Sequence, residues 1–382
     1  MYIPKLEDYY KAVEEGMLSK HETGDFVGFK YNIHTTFNKL WNDVTLNARG
    51  ITFDKHTGEI VARPFRKFFN HSEFITIDHV ATELYGIVPQ EYRPNLSGPF
   101  RVMDKLDGFL AITFYNKYLD EWQIKTGGSF TAKQSDWAQD WFKDHVIDTK
   151  MDHANTYLFE GIWSGDRHVV KYDYEALKLL AVIPNATGNE LPLKDIEQAA
   201  KDMGVQMAEV KNYTNFQDML KDVADYPSTL EGVVVTFDNG YKCKVKGIQY
   251  CEMFMVLNNL TEREIFMRYD PVKDIVYANV NPCNGYKPLN DEVLVVPEEL
   301  PEISEYVKIL KTRQHTLFAT VMSMANEINK TGVDGKELYD MVCKRWENKK
   351  EFIGPTMSAI KSLRKSDNVF AATKIALKKL IR

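Results

Sequence analysis

The protein has 382 residues and a formal net charge of −6, and its composition is 44% hydrophobic and 12% aromatic. These values are typical of a soluble globular chain that is long enough for two or three domains, and the mild acidity disfavours a protein that coats DNA. No stretch is apolar for long enough to cross a bilayer, so we expect no membrane partner. The N-terminal residues lack the apolar middle of a signal peptide, and the four cysteines lack metal-ligand spacing, so we expect reduced thiols in a cytoplasmic protein.

The first part of the chain alternates short β-rich runs with turn residues. Residues 1–25 predict a helix followed by a connector, and β-rich runs extend from about 26 to 100. Two hairpins are indicated, one joining residues 51–53 to 60–62 and one joining residues 110–115 to 121–125. A helix is predicted over 132–146, where tryptophan and phenylalanine recur at helical spacing.

The segment that follows continues the mixture of strands and helices. Residues 156–163 and 176–183 predict strands, and residues 194–204 and 215–225 predict exposed helices. A last hairpin surrounds the turn Asp238-Asn239-Gly240. After about residue 251 strand signals become scarce and helical patterns follow. We therefore predict an α+β domain over 1–252 and an all-α domain over 253–382.

The stretch Lys105-Leu106-Asp107-Gly108 places a lysine at the start of an apolar, β-branched run. Lysine is seldom located beside a core without a partner or a task. A strand-end lysine that extends to solvent, followed by an Asp-Gly turn, explains these four residues about equally well.

Several other segments place charged residues at the ends of predicted strands. Arg49 precedes a glycine and a strand, Lys67 lies among arginines and phenylalanines, and Glu160 and Glu231 each border an apolar run. The lysines of the segment KCKVKG alternate, so they share one strand face; they are Lys242, Lys244 and Lys246. The like charges of these lysines repel one another unless a polyanion such as a triphosphate lies against them. Taken singly, each segment also has an ordinary structural explanation, such as an edge strand guarded against aggregation.

The order of the segments KLDG, FEG, LEG and KVK resembles that of the covalent nucleotidyltransferases, which comprise ATP-dependent ligases and mRNA capping enzymes. The upstream segments ARGITFD and ARPFRKFFN resemble, more narrowly, the phage RNA ligase 1 family, whose members repair broken tRNA anticodon loops. The resemblance covers roughly residues 26–250 and is weak in the helical part. It implies an ATP-grasp-like adenylation domain with antiparallel sheets, followed by an all-α domain that binds RNA, in the cytoplasm of the host if the chain is phage-encoded.

The resemblance also implies a mechanism with ATP and Mg²⁺ or Mn²⁺. The Lys105 amine would attack the α-phosphate of ATP and form a lysyl-AMP, with release of pyrophosphate. The AMP would move to an RNA 5′-phosphate, and a 3′-hydroxyl would then seal the break. Because lysine must be neutral to attack and its ordinary pKa is about 10.4, the neighbouring cations Lys244 and Lys246 and a metal would activate it.

Carried over residue by residue, the resemblance assigns a role to each matching position. Arg49 and Lys67 match phosphate contacts, Tyr31 matches a nucleotide-contacting tyrosine across a one-residue gap, and Gly108 permits a tight turn beside the nucleotide. The catalytic group comprises Lys105, Glu231, Lys244 and Lys246. Lys244 and Lys246 also match lysines that contact the phosphates, and Glu160 and Glu231 match carboxylates that hold the ribose or a water-bound metal. Asp107 would help to place the water shell of the metal, and Asp274, in a poorly matched segment, is a candidate for a further metal contact.

One position departs from the family pattern. The family has a K-x-K-G-S strand, whereas here Lys125 is followed by Thr126 and Gly127, so the second lysine is missing. One pyrophosphate or adenylate contact is therefore absent from the expected set.

Two alternatives stay open. A DNA ligase or capping enzyme normally carries an OB barrel after the lysine strand, and the helical pattern here disfavours it. A non-catalytic RNA-binding protein on a ligase fold would require loss of the nucleophile or of its supporting residues. The basic segment from Lys361 to Arg382 predicts either a solvated helical face or a surface for a polyanion. We expect a monomer whose partner is RNA with 5′-phosphate and 3′-hydroxyl ends, with tRNA as the expected substrate.

Overall fold

The computed structural model describes residues 3–71, 98–166, 168–259, 262–270, 273, 275–278, 280–281, 287–288, 293–296 and 301–365. The chain divides into two compact units, Met1–Glu252 and Met253–Arg382. The predicted metal contact Asp274 and the basic segment beyond residue 365 lie outside the described residues. Within the described ranges, none of the helices combines the length and the apolar character that crossing a membrane requires.

The N-terminal unit begins with helix α1 (Leu6–Glu14) and a four-stranded antiparallel sheet of order β1-β2-β3-β4. The strands are β1 (Leu18–Thr23), β2 (Phe26–Tyr31), β3 (Arg49–Asp54) and β4 (Ile60–Ala62), and the short helices α2 (Ile33–Phe37) and α3 (Asp43–Asn47) join β2 to β3. The predicted connector before residue 25 is instead the edge strand β1. Only Leu18 of this strand is buried, so its sequence lacks the apolar alternation that indicates a strand.

A second antiparallel sheet has the order β10-β9-β7-β8. It is formed by β7 (Phe109–Asn116), β8 (Glu121–Thr126), β9 (Asn155–Ile162) and β10 (Ala176–Pro184). Helices α4 (Lys133–His145) and α5 (Leu193–Met203) contribute Phe142, Ile196 and Met203 to the core that this sheet forms with them. A 3-10 turn at Asp148–Lys150 follows α4.

The third sheet aligns the strands that carry the candidate site. Its order is β11-β6-β12-β13-β5, with β5 (Phe69–Asn70), β6 (Phe100–Lys105), β11 (Val210–Lys211), β12 (Gly232–Phe237) and β13 (Lys242–Lys246). Helix α6 (Phe216–Ala224) packs its apolar face into the core of this sheet. In the register of the three central strands, Gly232 lies opposite both Lys105 and Lys246. The pair β13–β5 is parallel, and the other pairs of this sheet are antiparallel.

The C-terminal unit is predominantly helical. Helix α7 (Ile248–Asn259) crosses the boundary and is followed by α8 (Glu262–Arg268), α9 (Pro301–Asn329), α10 (Gly335–Arg345), a 3-10 turn (Lys350–Phe352) and α11 (Ile353–Lys365). The all-α prediction omits two short antiparallel ladders, which join β14 (Tyr269–Asp270) to β15 (Ile275–Val276) and β16 (Val280–Asn281) to β17 (Lys287–Pro288). Strands of two residues are too short to produce a period-2 pattern.

A mixed fold with antiparallel sheets and C-terminal helices is therefore confirmed. The ATP-grasp-like arrangement and the functions assigned to the two domains stay predictions.

Candidate active site

One buried carboxylate connects two lysines at the ends of the three central strands of the third sheet. Lys105 Nζ lies 2.7 Å from Oε2 of Glu231, and Lys246 Nζ lies 2.8 Å from Oε1 of the same side chain. The Glu231 side chain is only 3% exposed. The geometry follows from the strand register, because Glu231 immediately precedes the glycine that faces both lysines. The structure thus brings together three of the four residues predicted to be catalytic.

Lys244, the fourth, lies two residues from Lys246 on the same strand face. Among the residues that the structure describes, its electrostatic neighbours are cations, and no carboxylate lies within ion-pair distance. Burial is the main cause that lowers the pKa of Lys244 to about 7. The cations that lower this pKa further are Lys67, Arg49, Lys105 and Lys246. A cluster in which these five cations outnumber the neighbouring carboxylates, Glu231 and Glu160, is suited to a phosphate-bearing ligand.

Arg49 starts β3 and directs its guanidinium to this cluster. Its Cζ lies 4.8 Å from the centre of the Phe68 ring, and the Nζ of Lys244 lies 5.8 Å from the same ring. The Nη1 atom of Arg49 is buried and has no hydrogen-bond partner among the residues that the structure describes. A buried donor of this kind is costly unless a ligand accepts its hydrogen bond. Arg49 therefore fits the phosphate role that the sequence predicted for it.

Aromatic rings surround Lys67. Its Nζ lies 4.7 Å from the ring centre of Phe69, 5.6 Å from that of Trp41 and 5.7 Å from that of Tyr31. Aromatic faces attract a cation, so these rings stabilise the charged amine in a defined position. The predicted nucleotide-contacting residue Tyr31 thus lies beside Lys67.

Glu160, near the end of β9, is fixed against the loop that follows Lys105. Its Oε1 accepts a hydrogen bond of 3.0 Å from the backbone N–H of Gly108. A Cβ at Gly108 would lie 2.5 Å from the carbonyl oxygen of Gly161, so this close approach requires glycine. Burial raises the pKa of Glu160 to about 7; nearby Lys105 opposes this shift and nearby Glu231 adds to it.

Asp107 ties the same loop to two distant segments. Its Oδ2 accepts hydrogen bonds from the backbone N–H groups of Val169 (2.8 Å) and Val170 (2.9 Å). Its Oδ1 accepts one from the Tyr250 hydroxyl at 3.0 Å, and its own N–H donates to the Tyr172 hydroxyl. The sequence did not predict either tyrosine, because no motif links residues this far apart in the chain.

The carboxylate oxygens of the site differ in whether they are available to a divalent cation. Both oxygens of Glu231 bind lysines, and both oxygens of Asp107 accept protein hydrogen bonds. For Glu160, the described residues provide a donor to Oε1 alone, so Oε2 is available. No group of three or more His, Cys, Asp or Glu side chains in the described ranges is arranged to hold a metal. The residues therefore fit a hydrated cation that contacts Glu160 and takes most of its other ligands from water and from phosphate oxygens.

Lys242, the first lysine of the row, has a different environment. Its Nζ lies 2.6 Å from Oε2 of Glu190 and 2.7 Å from the hydroxyl of Thr236, and Arg101 also pairs with Glu190. These residues line a cavity of about 520 Å³ that lies next to the site and is also lined by Lys67. Protein carboxylates thus relieve the predicted repulsion at both ends of the row, and Lys244 lies between them.

Comparison with known sequences identifies the family. The profile of the family named for T4 RNA ligase 1 and described as RNA ligase matches residues 47–250, more than half of the chain. A candidate RNA ligase of Thermovibrio ammonificans is 25% identical over 293 residues, which cover 72% of this chain and 69% of the relative. A candidate bifunctional polynucleotide kinase/RNA ligase of Autographa californica nuclear polyhedrosis virus is 26% identical over 229 residues, 55% of this chain and 31% of that protein.

Three solved structures show weaker similarity. An archaeal ATP-dependent RNA ligase has 13% identity and a TM-score of 0.45, with 83% of this chain and 79% of that chain covered. A candidate ATP-dependent DNA ligase from Aquifex aeolicus has 12% identity and a TM-score of 0.46, with coverage of 94% and 80%. The RNA ligase of Naegleria gruberi with PPi has 16% identity and a TM-score of 0.35, and the match covers 44% of this chain and 54% of that one.

Structural similarity at this level does not establish a shared activity. The match of the family profile does not depend on these structures, and it confirms the resemblance to the RNA ligase family that the sequence motifs indicate. The chain belongs to the T4 RNA ligase 1 family of RNA ligases.

Proposed function

We propose that this chain is an ATP-dependent ligase that joins RNA 3′-hydroxyl and 5′-phosphate ends through a lysyl-AMP at Lys105. The observation that carries the proposal is the row of neighbouring side chains on three adjacent strands. Lys105 and Lys246 share the Glu231 carboxylate, and Lys244 lies beside them without a carboxylate partner in the described part of the chain. This arrangement leaves the Lys105 amine next to a cluster of cations that is suited to bind phosphate groups.

In the first step, Lys105 Nζ forms a bond to the α-phosphorus of ATP while the bond to the bridging oxygen of pyrophosphate breaks. The proton that Nζ releases can pass to Glu231, whose oxygen lies 2.7 Å away. Glu231 keeps its contact with Lys246 when Lys105 leaves it. Lys244, Lys246 and Arg49 stabilise the charge that spreads over the phosphate oxygens in the transition state.

Two further steps complete the reaction. An oxygen of the RNA 5′-phosphate attacks the phosphorus of the lysyl-AMP, and the bond to Lys105 breaks. The RNA 3′-hydroxyl then attacks the activated 5′-phosphate, which forms the phosphodiester bond and releases AMP. We propose that Mg²⁺ or Mn²⁺ binds through water and Glu160 and supplies further positive charge at the phosphates.

The substrate assignment extends the proposal to structured RNA, with broken tRNA as the substrate that the family resemblance suggests. We propose that residues 253–382 bind this RNA. Lys361 and Lys365 are exposed near the end of α11, where they belong to the basic segment seen in the sequence. Reversing both charges, Lys361→Glu with Lys365→Glu, should weaken RNA binding and reduce its salt dependence. An unchanged affinity and salt slope would contradict this role.

The activity is tested with a 5′-phosphorylated RNA whose two ends can close into a circle. We expect circular RNA with ATP and magnesium, and none with Lys105→Ala. The same oligonucleotide made as DNA distinguishes the DNA ligase alternative, which would be favoured if only the DNA closed. If a preparation free of contaminating phosphatase binds the RNA but never joins its ends, a non-catalytic RNA-binding protein would be favoured.

A further inference from the structure

Lys125, near the end of β8, is fully buried, with 0% of its surface exposed. Its Nζ lies 3.1 Å from the carbonyl oxygen of Gly50, 3.0 Å from the hydroxyl oxygen of Thr52 and 2.8 Å from Nε2 of His21. No carboxylate in the described ranges contributes to its electrostatic environment. A buried amine without a counter-charge is costly, and here the three polar contacts and the Phe130 ring, whose centre lies 4.5 Å from Nζ, offset that cost.

The hydrogen bonds of Lys125 join two different sheets. Lys125 belongs to the second sheet, whereas all three of its partners belong to β1 and β3 of the first sheet. Two of the partners, Gly50 and Thr52, lie within the first four residues of β3. The amine therefore fastens the end of β8 to the start of the strand that carries Arg49.

Glycines make this contact between strands possible. A Cβ at Gly50, whose φ is +108°, would lie 2.8 Å from the Cα of Gly127. A Cβ at Gly127 would lie 3.2 Å from the carbonyl oxygen of Arg49. A side chain at Gly127, the position where the sequence lacks the second lysine of the family pattern, would therefore press on the backbone of Arg49.

In the described part of the structure, the side chain of Arg49 is held by electrostatic attraction to Tyr31 and Glu160 and by one ring contact. Within the described residues, its guanidinium packs on the Phe68 ring, and Nη1 has no hydrogen-bond partner. Because Nη1 lacks a partner among the described residues, the position of the guanidinium also depends on the backbone at residues 49 and 50. We propose that Lys125 is a positioning residue that fixes the Gly50 carbonyl and thereby aims the Arg49 guanidinium at the phosphates of ATP, an inference that rests on the proposed function.

The protonation states of the surrounding groups are consistent with this role. Burial lowers the pKa of Lys125 well below its ordinary value, and nearby Lys30 lowers it further. Burial, with Lys125 and Lys30, also lowers the pKa of His21 to about 3, so this histidine is neutral. The three contacts are satisfied in either charge state of the amine: an ammonium donates to all three partners, and a neutral amine donates to Gly50 and Thr52 and accepts from the Nε2–H tautomer of His21.

The test is a double-substitution cycle on ATP affinity, measured by calorimetry in a Lys105→Ala background, where no covalent adduct forms. Arg49→Ala should weaken ATP binding about 30-fold, as expected for lost charge-assisted hydrogen bonds. Lys125→Met should weaken it about tenfold. The double variant should bind ATP with the same affinity as Arg49→Ala alone, within about twofold. The exposed Lys133→Met is the matched control and should bind ATP as the background does.

If the losses of ATP affinity in the two single variants add up in the double variant, or if Lys125→Met keeps full affinity, the positioning role is overturned. The proposed function would stand in either case, because ATP still binds. An Arg49→Ala protein with undiminished affinity would overturn both this role and the phosphate contact of Arg49. A background protein that binds no ATP would instead refute the proposed function and, with it, the inference.

A second pair of variants covers the case in which Lys125→Met does not fold. Thr52→Val removes one acceptor of the amine without a large change in volume, and Thr52→Ser keeps the hydroxyl. We expect weaker ATP binding in Thr52→Val, about threefold, and restored binding in Thr52→Ser. Equal affinity in the two variants would contradict the inference.

Discussion

Replacing Glu160 with glutamine is expected to stabilise the nucleotide-free protein at alkaline pH while it removes the activity. Burial raises the pKa of Glu160 from 4.5 to about 7 in the folded chain. Between these values the folded state holds a proton that the unfolded state has lost, so this group makes the free energy of unfolding fall as pH rises. The difference of about 2.5 units is equivalent to about 3 kcal/mol well above pH 7.

Glutamine keeps an oxygen that can accept the 3.0 Å hydrogen bond from Gly108 and never ionises. Urea unfolding should therefore show Glu160→Gln more stable than the wild type by about 2–3 kcal/mol at pH 8.5 and by about 1 kcal/mol or less at pH 5. RNA joining should fall by about 100-fold or more, because the available carboxylate oxygen is lost.

Glu231→Gln is the contrasting control. It leaves Lys105 and Lys246 without their shared carboxylate and should destabilise the protein. A Glu160→Gln protein whose stability relative to the wild type is the same at both pH values would refute the reasoning on burial.

Three further predictions concern neighbouring groups. Because the pKa of Lys244 is about 7 in the free protein and phosphate favours its charged form, ATP binding at pH 8 should take up close to one proton. Calorimetry in buffers of different ionisation enthalpy measures this uptake, and its persistence in Lys244→Met would contradict the assignment. Lys246→Met should slow single-turnover adenylation about 100-fold, and a rate equal to that of Lys133→Met would exclude a catalytic role. Tyr250→Phe removes the hydroxyl that donates to Asp107 and should cost about 1 kcal/mol in urea unfolding; unchanged stability would show that this contact is unimportant.

The sequence predicted the family, and it indicated which residues belong to the candidate site. Both depend on short segments that occur in a fixed order. The RNA ligase assignment is confirmed by the family match over residues 47–250. The strands that end at Lys105 and Lys246 and the strand that begins after Glu231 explain why these three residues meet, since their register sets them side by side. Their catalytic roles, the tRNA substrate, the identity of the metal and the monomeric state stay predictions.

Contacts between distant segments could not be predicted in the same way. Tyr250 reaches Asp107 and Glu190 neutralises Lys242, although no motif connects either pair. The polar edge strand β1 has the composition of a connector, and the two-residue ladders near residue 270 are too short for any periodicity. These features depend on tertiary pairing, which local patterns do not encode.

The central claim is that Lys105 is the nucleophile, and intact mass after incubation with ATP and magnesium tests it most directly. We predict a gain of one AMP, about 329 Da, on the wild type and none on Lys105→Ala. Lys105→Arg should also remain unmodified, because arginine keeps the charge but stays protonated. Pyrophosphate treatment beforehand removes any AMP that is already attached. An adduct on Lys105→Ala, or a pyrophosphate-treated wild type that gains none, would contradict the claim.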